Sequence, residues 1–152
     1  MIVSFVGHSH VPFPEKVQES VKELLKNQIP AGERVTFYLG GRGAFDELCA
    51  RACREIKCER KGALLVYVTP YISLSEQERI KEMQRVGLCD SSLYPPIEKT
   101  PPRFAISKRN EWMMANADLI IAYVNHTYGG AYKSLGIAVR RKKKIINICD
   151  FL

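Results

Sequence analysis

The chain has 152 residues, 46% of them apolar, and a formal net charge of +7. That is enough apolar material for one ordinary globular domain over 1–152, and a second domain is not expected. No apolar stretch approaches the ~18 residues of a membrane span, and the start "MIVSFVGHSH" lacks the basic region and long apolar core of a signal peptide, so a cytoplasmic protein with no membrane partner is expected. Five cysteines, an odd number, fit a reducing compartment better than a disulfide framework, and Cys49, Cys53 and Cys58 crowd into one predicted helix. The positive charge favours an anionic partner, whether nucleotide, nucleic acid or phosphate ester. Much of it comes from "RRKKK" at 140–144, however, and basic residues at a helix C-terminus are favoured by the macrodipole alone.

In chain order, short apolar strands alternate with amphipathic helices. "IVSFV" (2–6) reads as a buried strand ending at Gly7, and Val17, Val21, Leu24 and Leu25 recur at helical spacing behind Pro14. "RVTFYL" (34–39) is the second strand and ends at Gly40. Phe45, Leu48, Cys49, Ala52, Cys53 and Ile56 mark the inner face of the second helix, which makes its cysteines core residues first. "ALLVYV" (63–68) is the third strand, closed by Thr69 and Pro70, and "SEQERIKEMQRV" is a third helix with Ser75 as its N-cap. Four prolines in "GLCDSSLYPPIEKTPPRFA" (87–105) exclude regular structure there, while Leu93, Tyr94, Ile97 and Phe104 predict a packed flap. Residues 107–117 return to helix, 118–124 form the fourth strand, 130–142 the fifth helix and 144–148 the fifth strand.

Strands that are apolar on both faces and separated by helices predict a three-layer α/β/α domain with a mainly parallel, five-stranded sheet. Right-handed crossovers place every strand C-terminus on one edge, where such sheets bind ligands. Four loops meet at that edge: Gly7, His8 and Ser9; Gly40, Gly41, Arg42 and Gly43 through Asp46; Thr69, Pro70 and Tyr71; and Asn125 through Gly130. Gly129 and Gly130 open a helix just after a strand, with Tyr128 before them and Ala131 after, and free N–H groups at a helix start attract anions.

"GGRGAFDE" is neither a Walker A loop, since no Gly-Lys-Ser/Thr follows, nor a full dinucleotide fingerprint, since Asp46 stands where the third glycine would be. A tight strand-to-helix turn and a phosphate cradle both remain open for it. In the second reading Arg42 faces phosphate, and Asp46 is a ribose-hydroxyl acceptor or a first-turn helix acid. His8 and His10 have metal-like spacing without a nearby carboxylate or cysteine, so no metal is expected, and His126 reads as a surface histidine. Tyr71, Tyr123, Tyr128, Tyr132 and Trp112 can each stack on a base or close the edge of the core. Arg109 and Asn110 open a helix beside the flap with no obvious packing purpose, which adds them to the candidate site.

Four segments taken together carry a family resemblance: "GH" after the first strand, "GGRGAFDELCA" after the second, "KRNEWMMANADLIIAYV" into the fourth, and "GGAYKSLGIAVRRKKKIINI" at the end. Together they resemble the YpsA-like branch of the SLOG superfamily, whose wider membership includes LOG proteins and the DprA/Smf DNA-processing proteins. The flap "SSLYPPIEKTPPRF" departs from the general pattern, and Gly130-Ala131 stands where many relatives have Gly-Thr. The resemblance implies a Rossmann-like domain that binds a nucleotide or an ADP-ribose-like ligand as a sensor or sequestering module, with no further cofactor. Phosphates would lie over Gly41 to Gly43 and Gly129 to Ala131, with the base near Tyr71 or Trp112. A LOG-like enzyme cleaving an N-glycosidic bond is the alternative, and its carboxylate would be Asp46, Glu47 or Glu98. Glu47 imitates the LOG acid but follows the second strand, and Ser134 stands where deoxyribosyltransferase-like sequences carry a nucleophilic Glu. DprA-like single-stranded DNA binding is the third expectation, and a homodimer is compatible with any of them.

Overall fold

Apolar runs without alternation need cover on both faces, and they receive it in the computed structural model, which describes residues 1–152. The strands are β1 (Ile2–Gly7), β2 (Val35–Leu39), β3 (Ala63–Val68), β4 (Ser91–Leu93), β5 (Leu119–Tyr123) and β6 (Lys144–Asn147). They form one sheet in the order β4-β3-β2-β1-β5-β6, with every neighbouring pair parallel. The helices are α1 (Pro14–Gln28), α2 (Gly43–Glu59), α3 (Leu74–Arg85), α4 (Ala105–Ala115) and α5 (Gly129–Arg140). Side chains alternate across the sheet, so Phe5 and Ile121 join α1 and α2 in one core, while Val6 and Ala122 join Met113 and Met114 of α4 and Ala138 of α5 in another. On α3, Ile80 packs with Tyr67 and Cys89. Cys49 and Cys53 are buried in the first core and Cys58 is exposed. No helix is long and apolar enough to cross a membrane.

The sheet has six strands where five are expected, because the flap contains β4. Asp90 positions it: its N–H donates to the Leu65 carbonyl (2.8 Å), its carboxylate accepts from Leu65 N–H (2.8 Å), and Lys57 pairs with the same carboxylate. Three residues then run parallel to β3, and Thr69 N–H donates to the Leu93 carbonyl (2.9 Å). The prolines break the flap only further on, where Pro95 and Ile97 are buried, Leu93 and Tyr94 are half-buried, and Phe104 is exposed. α3 is capped by Ser73, whose hydroxyl accepts from Glu76 N–H (3.3 Å), not by Ser75.

Strand order fixes the position of the site. From β1 the chain steps outward through β2, β3 and β4, then returns to β5 on the other side of β1. Loops leaving the C-terminal ends of β1 and β5 therefore diverge, and a crevice opens between them. At its base Gly7 is in register with Tyr123. A Cβ at Gly7 would lie 2.3 Å from the Phe45 ring, so the missing side chain is what lets α2 approach the end of β1. Gly7→Ala should cost about 1–3 kcal/mol by overpacking, seen as a lower denaturant midpoint, and the loss should shrink in a Phe45→Ala background, which removes the two nearest ring atoms. An unchanged midpoint would contradict the packing role.

Candidate anion-binding cleft

A cleft of about 700 Å³ lies between the β1–α1 and β5–α5 loops, walled by Gly7, His8, Ser9 and His10 on one side and by Asn125, His126 and Tyr128 through Ala131 on the other. Arg42, from the β2–α2 loop, and Gly43, the first residue of α2, reach it as well. Two helices start here and treat their first N–H groups differently. At α2, Ala44 N–H donates to the Ser9 carbonyl (3.0 Å) and Phe45 N–H to the His8 carbonyl (3.4 Å), while Arg42 N–H is held by the Asp46 carboxylate (3.0 Å). At α5, the N–H groups of Gly129, Gly130 and Ala131 have no acceptor within the fold. Gly129 has φ 89°, which suits glycine, whereas Gly130 has no such demand and a Cβ there would meet nothing within 4 Å.

Three rings form a stack that joins the two walls, His8 from the β1–α1 loop and His126 and Tyr128 from the β5–α5 loop. The His8 and His126 centroids are 3.7 Å apart at 12°, and His126 and Tyr128 are 3.9 Å apart at 15°. Asn125 N–H donates to His8 Nε2 (3.0 Å), and the Tyr128 carbonyl lies 3.0 Å from His126 Nδ1. Those contacts suit a neutral His8 whose proton is on Nδ1. Burial holds the His8 pKa below its ordinary value, helped by the charge of His126 and opposed by a hydrogen bond with the Asn125 side chain.

Below the cleft a recess of about 110 Å³ shares Gly7, Arg42, Gly130 and Ala131 with it and reaches Asp46, Arg109 and Asn110. Arg109 is 1% exposed; its Nη1 donates to the carbonyls of Gly40 (2.9 Å) and Val68 (2.6 Å), and its Nε donates to Asn110 Oδ1 (2.8 Å). The packing purpose that the sequence conceals is to tie the ends of β2 and β3 to α4. Asp46 lies beside this guanidinium. Desolvation lifts its pKa to about 6, against the Arg42 N–H bond and the Arg109 charge, which lower it. The glycine loop ahead of it is shaped by the same packing: a Cβ at Gly40 would come 3.0 Å from Asp46 Oδ2, and one at Gly41 would come 2.7 Å from the Tyr67 ring.

Other expected site residues lie apart. Trp112 is half-buried, stacks on Tyr38 (5.5 Å) against the α4-side core and lines neither cleft nor recess. Pro70 is buried; Tyr71 is half-buried with the Arg42 guanidinium 5.7 Å from its ring centre. Glu47 is exposed, paired with Arg51, and faces a separate cavity beside α2; Glu98 is exposed in the flap. Ser134 is buried in α5. No three His, Cys, Asp or Glu side chains are grouped to hold a metal ion. Two supporting residues escaped the sequence. Buried Glu76 accepts from Tyr67 (3.1 Å) and Thr69 (2.5 Å) and braces the β3–α3 loop. Asn147 bonds both the N–H (3.2 Å) and carbonyl (2.9 Å) of Val124, fixing the start of the β5–α5 loop.

Fold and cleft define a doubly wound, Rossmann-type domain open at its switch point. It shares the fold of DNA processing protein A from Helicobacter pylori, studied for its single-stranded DNA binding mode, with TM-score 0.62 and 16% identity over 95% of this chain and 63% of that one. DNA processing protein A from Streptococcus pneumoniae gives 0.63 and 15%, covering 94% and 48%. The molybdenum cofactor carrier protein from Chlamydomonas reinhardtii gives 0.53 and 12%, covering 95% and 73%. The chain thus spans about half to two thirds of the DNA-processing proteins. No protein-family model matches it, and no curated protein matches it by sequence.

The Asp46 environment has a measurable consequence. With its pKa raised from 3.8 to about 6, the folded protein binds more protons than the unfolded one between those values, so this group's stability contribution is present at low pH and lost as pH rises through 6. Asp46→Asn should therefore be more stable than wild type at pH 7 by about 1–3 kcal/mol, with the difference vanishing near pH 4. Equal stability at both pH values, in denaturant titrations, would contradict that environment.

Proposed function

We propose that this protein is a YpsA-like SLOG binding module for a nucleotide or nucleotide-derived ligand, such as an ADP-ribose-like molecule, held as a signal or cargo. The observation that carries the reading is the start of α5: three N–H groups without acceptors, next to a glycine whose missing side chain leaves only open cleft. A helix N-terminus concentrates partial positive charge, and a phosphate there gains several charge-assisted hydrogen bonds at once. Arg42, exposed and without an ion pair, stands across the same cleft. The volume suits a mononucleotide-sized ligand. A second reading, single-stranded DNA across the cleft, is supported by the likeness to the H. pylori protein and by exposed Tyr128 and Tyr132.

Gly130→Val tests the first reading. The fold leaves space for the side chain and no positive φ forbids it, so the melting temperature should stay within a few degrees of wild type. Affinity for a mononucleotide should fall by roughly tenfold or more, about 1.4 kcal/mol. A folded variant that binds as well as wild type would defeat the phosphate seat. Salt dependence separates the second reading, since a strand touching several phosphates loses affinity with slope about −0.7 per phosphate and a mononucleotide gives a shallow slope.

A further inference from the structure

The residue at the N-cap of α5 is not a helix-capping type. Ser, Thr, Asp and Asn satisfy first-turn N–H groups from this position; Tyr128, with extended backbone (φ −149°, ψ 165°), makes no side-chain cap. In place of a cap the chain has a ring that is 70% exposed. An exposed tyrosine usually samples several rotamers, but this one lies against His126 at 3.9 Å, and His126 lies against His8 at 3.7 Å. The inner end of the stack is closed by the edge of Tyr123, 6.2 Å from His8 and at 86° to it. Backbone contacts to His8 and His126 hold the two middle rings in place. The result is an oriented stack whose free end is a bare tyrosine face, immediately ahead of the open N–H groups of α5.

We propose that the outer face of Tyr128 is the platform for a flat heteroaromatic ring carried by the ligand, so that the cleft selects aryl-bearing phosphates over plain sugar phosphates. The inference rests on the phosphate seat proposed above and adds the chemistry of the ligand's other end. Stacking on an aromatic side chain has been valued at ~1–3 kcal/mol per base, which corresponds to about tenfold or more in affinity. The absent cap contributes in the same direction: a capping side chain would occupy the N–H groups that the phosphate needs, while a ring leaves them open.

The test is calorimetric titration of the whole chain with AMP, ribose 5-phosphate and inorganic phosphate. Wild type should bind AMP about tenfold or more tightly than ribose 5-phosphate. Tyr128→Leu should bring AMP down to the ribose 5-phosphate level and leave the two non-aromatic ligands unchanged, whereas Tyr128→Phe should keep the preference. Separately, Tyr128→Ser should not lower the melting temperature, because serine restores a cap; a marked fall would mean that the ring serves the fold. Equal binding of AMP and ribose 5-phosphate by wild type would overturn the ring platform while leaving the phosphate seat intact, provided Gly130→Val still weakens both. No binding of any of the three would overturn both proposals. An AMP preference that survives Tyr128→Leu would place the ring elsewhere.

Discussion

A helix that starts at the edge of a parallel sheet brings N–H groups that its own turns cannot satisfy, and where their acceptors come from decides what that edge can do. α2 and α5 give opposite answers at the same cleft. Ala44 and Phe45 of α2 take the Ser9 and His8 carbonyls, which fastens the β1–α1 loop to the second helix and makes one wall of the cleft rigid. Gly129 to Ala131 of α5 take nothing from the fold. Strand order brings the two together, because β5 lies beside β1 while the chain between them runs to the far edge and back.

The two glycine clusters at this edge are consequently of different kinds. Around Gly40 and Gly41 the missing side chains make room for Asp46 and Tyr67, and Arg109 bonds the Gly40 carbonyl, so the loop is a bracket joining three elements. Arg109 is the centre of that bracket. Its burial is tolerable because its donors meet two backbone carbonyls and Asn110, with Asp46 close enough to contribute charge. Gly129 shapes a turn, and Gly130 borders space that no part of the chain fills. One cluster builds the wall and the other leaves the opening. The Gly-rich spelling is the same in both, which is why spelling alone left a turn and a phosphate cradle unresolved.

Much of the architecture was legible because it rests on local patterns. "IVSFV", "ALLVYV" and "DLIIAYV" are too apolar for a strand with one wet face, and the helical spacing of Phe45, Leu48, Cys49, Ala52, Cys53 and Ile56 has one reading. From alternating strands and helices the parallel sheet follows, and with it the edge where the loops converge. β4 was hidden because "SSL" has neither length nor apolar alternation; it is a strand only because Asp90 is bolted to Leu65. The structural part of Arg109, Glu76 and Asn147 lies in contacts across 41, 7 and 23 residues of sequence, and no local pattern encodes them. The same holds for His8, which meets His126 through the register of β1 with β5. The placement of Trp112 was hidden for a related reason: its partner Tyr38 is 74 residues away in sequence, and only the packing of α4 on the sheet brings the two rings together.

The central claim is that the open N–H groups of α5, not those of α2, receive the ligand's phosphate. Amide chemical shifts report this residue by residue without any substitution. On titrating the ¹⁵N-labelled protein with a mononucleotide, the amides of Gly129, Gly130 and Ala131 should show the largest movements, with Ala44 and Phe45 nearly still because their hydrogen bonds are already made. Largest movements at Gly41 to Phe45, with Gly129 to Ala131 unchanged, would contradict it.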